Sequence, residues 1–407
     1  MKSEQLPTRR DFLKLGAASL AGSAFLSPTS CSPESKEKSG KAHRLVYRTL
    51  GRTGIKLPVV SMGSVYGINL VHTALDEGIV YIHTSSSYSE RNHERLLGEV
   101  LRDRPRDSFV VATCPDLPYE FAAGGARSLD VGKKADPALI GKSLDGSLQR
   151  MGLDHVDIFY LASVGSREVV MYEPYLQAFD ELRKAGKTRF TGVITHDNEP
   201  EVIRAVAECG AWDVVLTAFN FRQTHREEIR AAIHQAAEAG IGVVAMKTQA
   251  GVYWDRLRLR KINMKAALKW VLKDEAVHTT IPAFSNLDEM YEDLSIMEDL
   301  ALTPEEERDL SLGEELGLPG LYCQQCGTCL RQCPADLDIP ALMRSHMYAF
   351  GYQQPRVARQ TLRTAAVAGV PCASCDQCSV HCPLGLDVKT NALTIAPILD
   401  VPEAFLA

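Results

Sequence analysis

The chain has 407 residues, of which 45% are hydrophobic and 24% are charged, and its formal net charge is −6. This is the composition of a globular protein with a buried core, and no basic run interleaved with aromatic residues offers a nucleic-acid surface. After the first thirty residues, no apolar stretch is long enough to span a bilayer. Of the 11 cysteines, eight fall in two short clusters near the carboxy terminus, unlike the even spread of a disulfide scaffold.

The amino terminus has the residue pattern of an export signal. Arg9 and Arg10 precede Phe12 and Leu13, and an apolar segment rich in Gly and Ala follows at 15–26. This pattern resembles a twin-arginine signal, which directs folded proteins with their cofactors in place out of the cytoplasm. The alternative is a short amphipathic helix. We therefore expect a periplasmic or other extracytoplasmic location.

Cys31 stands where a lipid-modified cysteine follows an export signal. The preceding residues 28–30 depart from the usual lipobox, whose first position is Leu or a similar residue. An unmodified signal-peptide cysteine is therefore the alternative to a lipid anchor at Cys31. The polar run at 32–41 predicts a flexible tether, so we place the signal and tether at residues 1–43.

The middle of the chain alternates between short β-branched runs and amphipathic helical runs. Predicted strands cover 59–62, 80–84, 109–113, 156–161, 189–195, 214–219, 243–247 and 279–282, with helices such as 94–102, 137–151, 172–185, 226–239 and 264–273 between them. Eight such units over about 250 residues predict an α/β fold, a (β/α)8 TIM barrel. We place this barrel at residues 44–312. The alternative, an open doubly wound sheet, would carry a glycine-rich fingerprint that residues 61–67 do not supply.

The order and spacing of several short motifs resemble the aldo/keto reductase family over residues 44–299. The places of its amino-terminal hairpin and of its first, second, fifth, seventh and eighth strands are taken by residues 47–54, 59–63, 77–88, 186–193, 245–247 and 281–282. The resemblance implies an oxidoreductase that binds a small-molecule substrate at the carboxyl ends of the barrel strands.

The resemblance also implies a catalytic Asp, Tyr, Lys and His, of which only the tyrosine is kept, as Tyr88. His83 stands at the aspartate position, Cys114 at the lysine position and Ala162 at the histidine position. Because the lysine and its carboxylate are both missing, neither leaves an orphan buried charge. We interpret the barrel as one whose proton relay has been replaced, and we take Tyr88, His83 and Cys114 as candidate catalytic residues. His83 and Cys114 would form a cysteine–histidine pair, a metal site, or merely hydrogen-bonded polar groups.

Nicotinamide binding, with NAD(P)(H) as the candidate cofactor, is a further implication of the resemblance. Ser285 and Asn286 offer a phosphate-binding position at a helix start. His196 follows the fifth strand, where the family holds the nicotinamide, and Lys247 ends the seventh strand. Lys247 would either meet an anionic ligand or pair with a carboxylate. The arginine that grips an adenosine 2′-phosphate has no counterpart, and no flavin motif is evident.

Two copies of the pattern C-x2-C-x2-C-x3-C-P close the chain, and this run binds [4Fe–4S] clusters in bacterial ferredoxins. Three thiolates two residues apart wrap one face of a cluster, and the proline turns the chain so that the fourth reaches the other cluster. One cluster is therefore assigned to Cys323, Cys326, Cys329 and Cys382, and the second to Cys372, Cys375, Cys378 and Cys333. Structural zinc is the alternative, but it needs four ligands and has no use for the repeated pattern.

A long insert separates the two motifs, and its runs at 339–352 and 356–368 predict two helices. This arrangement resembles the α-helical ferredoxin domains attached to larger redox enzymes. We predict that residues 313–407 form a smaller, mainly α-helical, ferredoxin-like domain with two [4Fe–4S] clusters.

Together these features predict an exported oxidoreductase that relays single electrons between its clusters and a small-molecule substrate, a carrier or a redox partner protein. Hydride transfer moves two electrons at once, so coupling to the clusters requires a splitter such as a flavin, or a substrate that tolerates radicals. The alternative is a non-catalytic electron-transfer or binding module built on a reductase-like barrel.

Overall fold

The computed structural model of the protein describes most of the chain beyond residue 44. The described residues are 45–65, 67–88, 92–115, 117, 120–121, 127–128, 136–196, 198–254, 259–315, 323, 328–351, 354–375, 377–383 and 385–406. The predicted export signal, Cys31 and Cys326 lie outside them. None of the helices that the structure describes has the length and hydrophobicity needed to cross a lipid bilayer.

A parallel sheet of seven strands forms the centre of the larger part of the molecule. Two antiparallel hairpins stand outside it, β1 (Tyr47–Thr49) with β2 (Lys56–Pro58), and β5 (Glu120–Phe121) with β6 (Arg127–Ser128). The sheet strands lie side by side in chain order as β3 (Tyr81–His83), β4 (Val110–Thr113), β7 (Val156–Leu161), β8 (Thr188–Thr195), β9 (Val214–Ala218), β10 (Gly242–Met246) and β11 (Thr279–Thr280).

Residues 59–63 close this sheet into a barrel. Val60 bridges Thr280 on one side, and Met62 bridges Ile82 on the other, both in parallel orientation. The backbone N–H of Ser61 donates to the Thr280 carbonyl at 2.8 Å, and that of Met62 donates to the Tyr81 carbonyl at 3.1 Å. The predicted eight-stranded α/β barrel is thus confirmed, with its first strand reduced to these bridging residues.

Helices cover the outside of the barrel and form the core of the carboxy-terminal domain. They are α1 (Ile68–Asp76), α2 (Asn92–Leu101), α3 (Ala138–Met151), α4 (Arg167–Val170), α5 (Glu173–Lys184), α6 (Glu199–Cys209), α7 (Arg226–Glu238), α8 (Met264–Leu272), α9 (Leu287–Ser295), α10 (Pro304–Glu315), α11 (Ile339–His346), α12 (Pro355–Thr364) and α13 (Val388–Ile395). Most of the barrel helices bury one apolar stripe against the strands, as amphipathic helices do.

The barrel interior is a packed core, and the first hairpin covers one of its ends. Leu50 and Leu57, from the first hairpin, are fully buried there and fill the amino-terminal end of the barrel. Gly192 lies so close to the Tyr160 ring that an added Cβ would meet it at 2.6 Å. The glycine therefore makes room for a large aromatic side chain inside a small barrel.

The carboxy-terminal domain has a separate hydrophobic core built from α11, α12 and α13. Helix α11 continues into a π-helical turn, Met347–Gly351, before α12 begins. The two helices predicted between the cysteine motifs are therefore confirmed. Four of the cluster cysteines, Cys323, Cys333, Cys372 and Cys382, pack half-buried against this core.

Candidate functional site

The predicted barrel residues gather at the carboxyl ends of the strands, the face where TIM barrels carry their active sites. His83 ends β3, and Cys114, His196 and Lys247 directly follow β4, β8 and β10. Tyr88 lies in the loop after β3. The barrel topology thus brings these side chains to one mouth.

His83 is a buried, neutral histidine. Its side chain is 4% exposed, and its Nε2 finds no hydrogen-bond partner among the described residues. Burial, and secondarily the proximity of His93, lowers the pKa of His83 to about 3. The imidazole is therefore uncharged at neutral pH and cannot replace the negative charge of an aspartate.

The rings of two tyrosines flank His83 at the mouth. The Tyr88 ring centroid lies 6.2 Å from that of His83 and 6.2 Å from that of His93. The ring of Tyr160 meets His83 edge-on from inside the barrel, with centroids 5.8 Å apart. Tyr88 is half-buried, so one side of this group faces the open mouth.

His93 is held as one tautomer by two hydrogen bonds. Its Nε2 lies 2.9 Å from the Val65 carbonyl oxygen, which only accepts, so Nε2 carries the proton. Its Nδ1 then accepts from the Thr84 hydroxyl at 2.7 Å. Burial lowers the pKa of His93 to about 4, which agrees with a neutral ring.

Cys114 lies beside two hydrogen-bonded tyrosines in the barrel interior. The hydroxyl oxygens of Tyr81 and Tyr160 are 3.0 Å apart, and both rings are fully buried. Burial raises the pKa of both phenols, and nearby Cys114 raises it further. Cys114 is 5% exposed. A buried thiol therefore stands where the resemblance places a lysine.

The described residues contain no group of three or more His, Cys, Asp or Glu side chains placed to hold a metal ion.

A second polar network fixes the rim of the mouth between β8 and β10. The Asn220 Nδ2 donates to the Lys247 carbonyl at 3.2 Å, and the Asn220 backbone N–H donates to Gln223 Oε1 at 2.9 Å. Gln223 Nε2 in turn donates to Glu199 at 3.0 Å, and Glu199 raises the pKa of His225 through a hydrogen bond. Sequence reasoning missed this network, although Asn220 stands at a strand end like the predicted residues.

The predicted phosphate position, Ser285 and Asn286, already binds a carboxylate of the protein. The Ser285 N–H and hydroxyl both donate to Glu289 Oε2, at 2.7 and 2.8 Å. Asn286 caps α9 by accepting from the Glu289 N–H at 2.9 Å. A phosphate at this helix start would have to displace Glu289 and meet its negative charge. The same helix buries Asp293, whose pKa is raised well above its usual range by burial and by nearby carboxylates.

Three cysteines of the predicted second cluster lie within electrostatic range of the fourth, Cys372. Burial raises the pKa of Cys372, and the thiols of Cys333, Cys375 and Cys378 raise it further because they lie within electrostatic range. Cys333 belongs to the first motif, and the other three belong to the second. The crossed donor set predicted from the ferredoxin pattern would use these four thiols, but no three of these described side chains are placed to hold a metal ion in this structure.

Gln332 joins the two cysteine motifs. Its carbonyl accepts from the Ser379 hydroxyl at 2.6 Å, and its side-chain Oε1 accepts from the His381 N–H at 2.6 Å. Because Gln332 directly precedes Cys333, these bonds hold Cys333 against the second motif. Lys389 also donates to the Cys375 carbonyl. These contacts support the crossed assignment.

Two family models match this chain. The model described as "Aldo/keto reductase family" matches residues 60–263, and the model described as "4Fe-4S dicluster domain" matches residues 322–387. The first covers the barrel from its first strand to the start of α8. The second includes all eight cysteines of the two motifs.

Named relatives and solved structures are similar to the barrel. L-galactose dehydrogenase of Arabidopsis thaliana is 31% identical over 169 residues, which cover 37% of this chain and about half, 48%, of that enzyme. L-glyceraldehyde 3-phosphate reductase of Escherichia coli O157:H7 is 24% identical over 328 residues, 65% of this chain and 90% of that enzyme. The holo form of the aldo-keto reductase AKR11C1 of Bacillus halodurans superposes with a TM-score of 0.53 at 22% identity, over 66% of this chain and 96% of that one. The structural likeness shows the fold alone.

Proposed function

The chain belongs to the aldo/keto reductase family and carries a 4Fe-4S dicluster domain, and on that premise we propose that it is an exported iron–sulfur oxidoreductase. Its barrel binds a small-molecule substrate or an electron carrier. The clusters, when bound, accept and donate electrons one at a time. The clusters exchange these electrons with the barrel ligand or with a redox partner protein.

The contact between the two cysteine motifs, made through Gln332 beside Cys333, carries this proposal. Cys372 of the second motif lies within electrostatic range of Cys333 of the first, and Gln332 accepts hydrogen bonds from Ser379 and His381 of the second motif. Such an arrangement supports a bound cluster rather than four incidental cysteines, because each thiol must be placed by its own segment. Cys323, Cys329 and Cys382 belong to the other predicted cluster, together with Cys326.

The barrel side chains support a chemistry that differs from classical carbonyl reduction. His83 is neutral and Cys114 stands at the lysine position, so neither supplies a charge of the family's proton relay. Tyr88 brings a phenol to the mouth, and His83 Nε2, which has no partner among the described residues, is available for a hydrogen bond. Lys247 supplies a positive charge at the rim for an anionic group of the substrate.

NAD(P)(H) remains a candidate cofactor, with Ser285, Asn286, Lys247 and His196 as the predicted contacts. Against it stands Glu289, which takes the two donors of Ser285. The names of the two relatives denote reactions of a sugar and of a sugar phosphate, which supports a small carbonyl or polyol substrate. A splitter such as a flavin would be needed if the substrate exchanges hydride.

A non-catalytic electron-transfer or binding module is the second candidate function. The replacement of three catalytic positions, by His83, Cys114 and Ala162, favours it. The retained Tyr88 and the built rim network around Asn220 favour the enzyme.

Export would deliver the loaded protein outside the cytoplasm through the twin-arginine signal at residues 9–13. This order of events suits the clusters, because bare cysteines pair as disulfides in an oxidising compartment. Cys31 is the proposed site of a lipid anchor. Changing Arg9 and Arg10 to Lys should retain the precursor in the cytoplasm, which fractionation would measure; unchanged export would contradict this part of the proposal.

The test of function is an anaerobic titration of the iron-loaded protein. NADPH and NADH are added separately while nicotinamide fluorescence and cluster absorbance are followed. Bleaching of the cluster absorbance supports the oxidoreductase. No nicotinamide binding at millimolar concentration, together with no reoxidation of dithionite-reduced clusters by small aldehydes or ketones, would favour the non-catalytic module.

A further inference from the structure

Lys247 and Tyr348 connect the barrel mouth to the carboxy-terminal domain. The Lys247 Nζ lies 5.7 Å from the centroid of the Tyr348 ring, within the range of a cation–π interaction. In the part of the chain that the structure describes, no carboxylate forms an ion pair with Lys247. The face of the tyrosine ring is therefore the group that meets this charge.

The position of Lys247 is set by its backbone. Lys247 adopts the left-handed conformation, with φ of 57°, and Ala250 in the same loop has φ of 54°. Non-glycine residues adopt this conformation only where the surroundings impose it. Here Asn220 holds the Lys247 carbonyl, and Gln223 holds Asn220. The loop thus fixes the direction of the lysine at the rim.

Tyr348 is placed by the π-helical turn Met347–Gly351, which extends α11. The neighbouring Met347 is 2% exposed and anchors the turn in its domain, and the Tyr348 carbonyl accepts from the Gln354 N–H at 2.8 Å. Single π-helical turns are rare inside helices and often mark functional positions. This one projects an aromatic ring toward the barrel.

A second contact brings the start of the same domain to the same loop. Gly313, near the end of α10, lies against the Trp254 ring, where an added Cβ would approach Trp254 Cζ3 to 2.1 Å. Trp254 is in the segment after β10, as Lys247 is, and it packs with Leu310 of α10. Helix α10 and Tyr348 therefore both contact the segment after β10, which carries Lys247 and Trp254.

Resting on the function proposed above, we propose that the dicluster domain is the lid of the barrel site and that the Lys247–Tyr348 contact closes it. A closed lid excludes water from the mouth and holds the electron-carrying domain beside the bound substrate. Lys247 is then a positioning residue for the domain. Loss of either side chain opens the mouth without changing the clusters.

Hydrogen–deuterium exchange of the iron-loaded, full chain under anaerobic conditions tests the lid. Lys247→Met and Tyr348→Leu should each speed amide exchange at 247–250 and 347–351 by roughly threefold to thirtyfold. They should also speed exchange at 84–88, the mouth loop that carries Tyr88. Tyr348→Phe is the matched control, because it keeps the ring face and should exchange like the unchanged protein.

The double variant separates a direct contact from two independent effects. If Lys247 and Tyr348 act through each other, Lys247→Met with Tyr348→Leu exchanges no faster than either single variant. Effects that multiply, or unchanged exchange at 84–88 in both single variants, would overturn the lid. Iron content and the cluster spectrum, recorded on the same samples, report separately on the proposed function.

Discussion

The carboxylate of Glu289 accepts two hydrogen bonds from Ser285, one from its backbone N–H and one from its hydroxyl. The helix start that would bind a cofactor phosphate is thereby occupied by an anion of the protein itself. A carboxylate at a helix amino terminus also stabilises the helix. Glu289 thus stabilises the start of α9 and opposes a phosphate ligand at the same place.

Replacing Glu289 should therefore improve nucleotide binding. In Glu289→Gln the negative charge is gone, so we expect NADPH to bind about tenfold more tightly, since an opposing charge near a phosphate is worth on the order of 1 kcal/mol. Nicotinamide fluorescence measures the dissociation constant. Asp288→Asn removes an exposed charge from the same turn without touching Ser285 and serves as the control. Equal affinity in Glu289→Gln and the unchanged protein would show that this helix start is not the phosphate position.

Asp293 should destabilise the protein as pH rises. Its pKa is raised well above 3.8 by burial first and then by Glu292 and Glu289, so the folded state keeps a proton that the unfolded chain releases. The stability that this proton contributes is complete below the unfolded pKa and is lost at higher pH. Asp293→Asn keeps an oxygen for Gln249 and does not titrate, so we expect it to raise the free energy of unfolding at pH 8 by at least about 1 kcal/mol.

Denaturant unfolding of Asp293→Asn at pH 4.5 and pH 8 checks this expectation. The gain should be larger at pH 8, because more of the stability of the unchanged protein has been lost there. Asp103→Asn, which removes an exposed carboxylate, is the control and should change neither value. A gain that is the same at both pH values would mean that Asp293 is ionised throughout.

The buried histidines should make the protein less stable as the pH falls, whereas Asp293 makes it less stable as the pH rises. The pKa values of His83 and His93 are lowered from 6.5 to about 3 and about 4. Between these values and 6.5, the histidines are protonated in the unfolded chain but neutral in the folded protein. The stability is complete above pH 6.5 and falls as the pH drops toward the folded values. Between pH 7.5 and 5.5, each histidine should cost about 1 to 1.4 kcal/mol.

His83→Gln should remove its share of this loss. The difference in unfolding free energy between pH 7.5 and 5.5, measured by denaturant titration, should shrink by about 1 kcal/mol. His234→Gln provides the comparison, because that side chain is 54% exposed. If His83→Gln keeps the full pH dependence, the imidazole is protonated in the folded protein.

The crossed assignment of the cysteines predicts which double variants lose both clusters. Cys333→Ala and Cys372→Ala should each leave about four iron atoms per chain, and the double variant should also leave about four, because both residues serve one cluster. Cys329→Ala combined with Cys372→Ala should leave none. Iron and sulfide analysis with EPR spectra measures this, and Cys209→Ala is the control outside the motifs. Loss of all iron in the Cys333 and Cys372 double variant would show that the motifs are not crossed.

The sequence alone predicted the elements whose signal is local in the chain. Hydrophobic alternation indicated the barrel strands, and the spacing of Cys323 to Cys333 and of Cys372 to Cys382 indicated the clusters, because a short loop has to present its thiols at that spacing. The end of each strand indicated the mouth residues, since parallel strands present their carboxyl ends on one face. The shortening of β11 to two residues was not predicted, and Pro282 has no N–H with which to extend it.

Only the tertiary structure decided which of these groups are charged, which already have hydrogen-bond partners, and which contact a second domain. His83 is neutral because the folded core buries it, and Ser285 is occupied because α9 brings Glu289 back to it. Lys247 meets Tyr348 because a separate domain returns to the barrel mouth. Each of these outcomes depends on burial or on contacts that form only when the chain folds, and no periodicity or motif spacing encodes them.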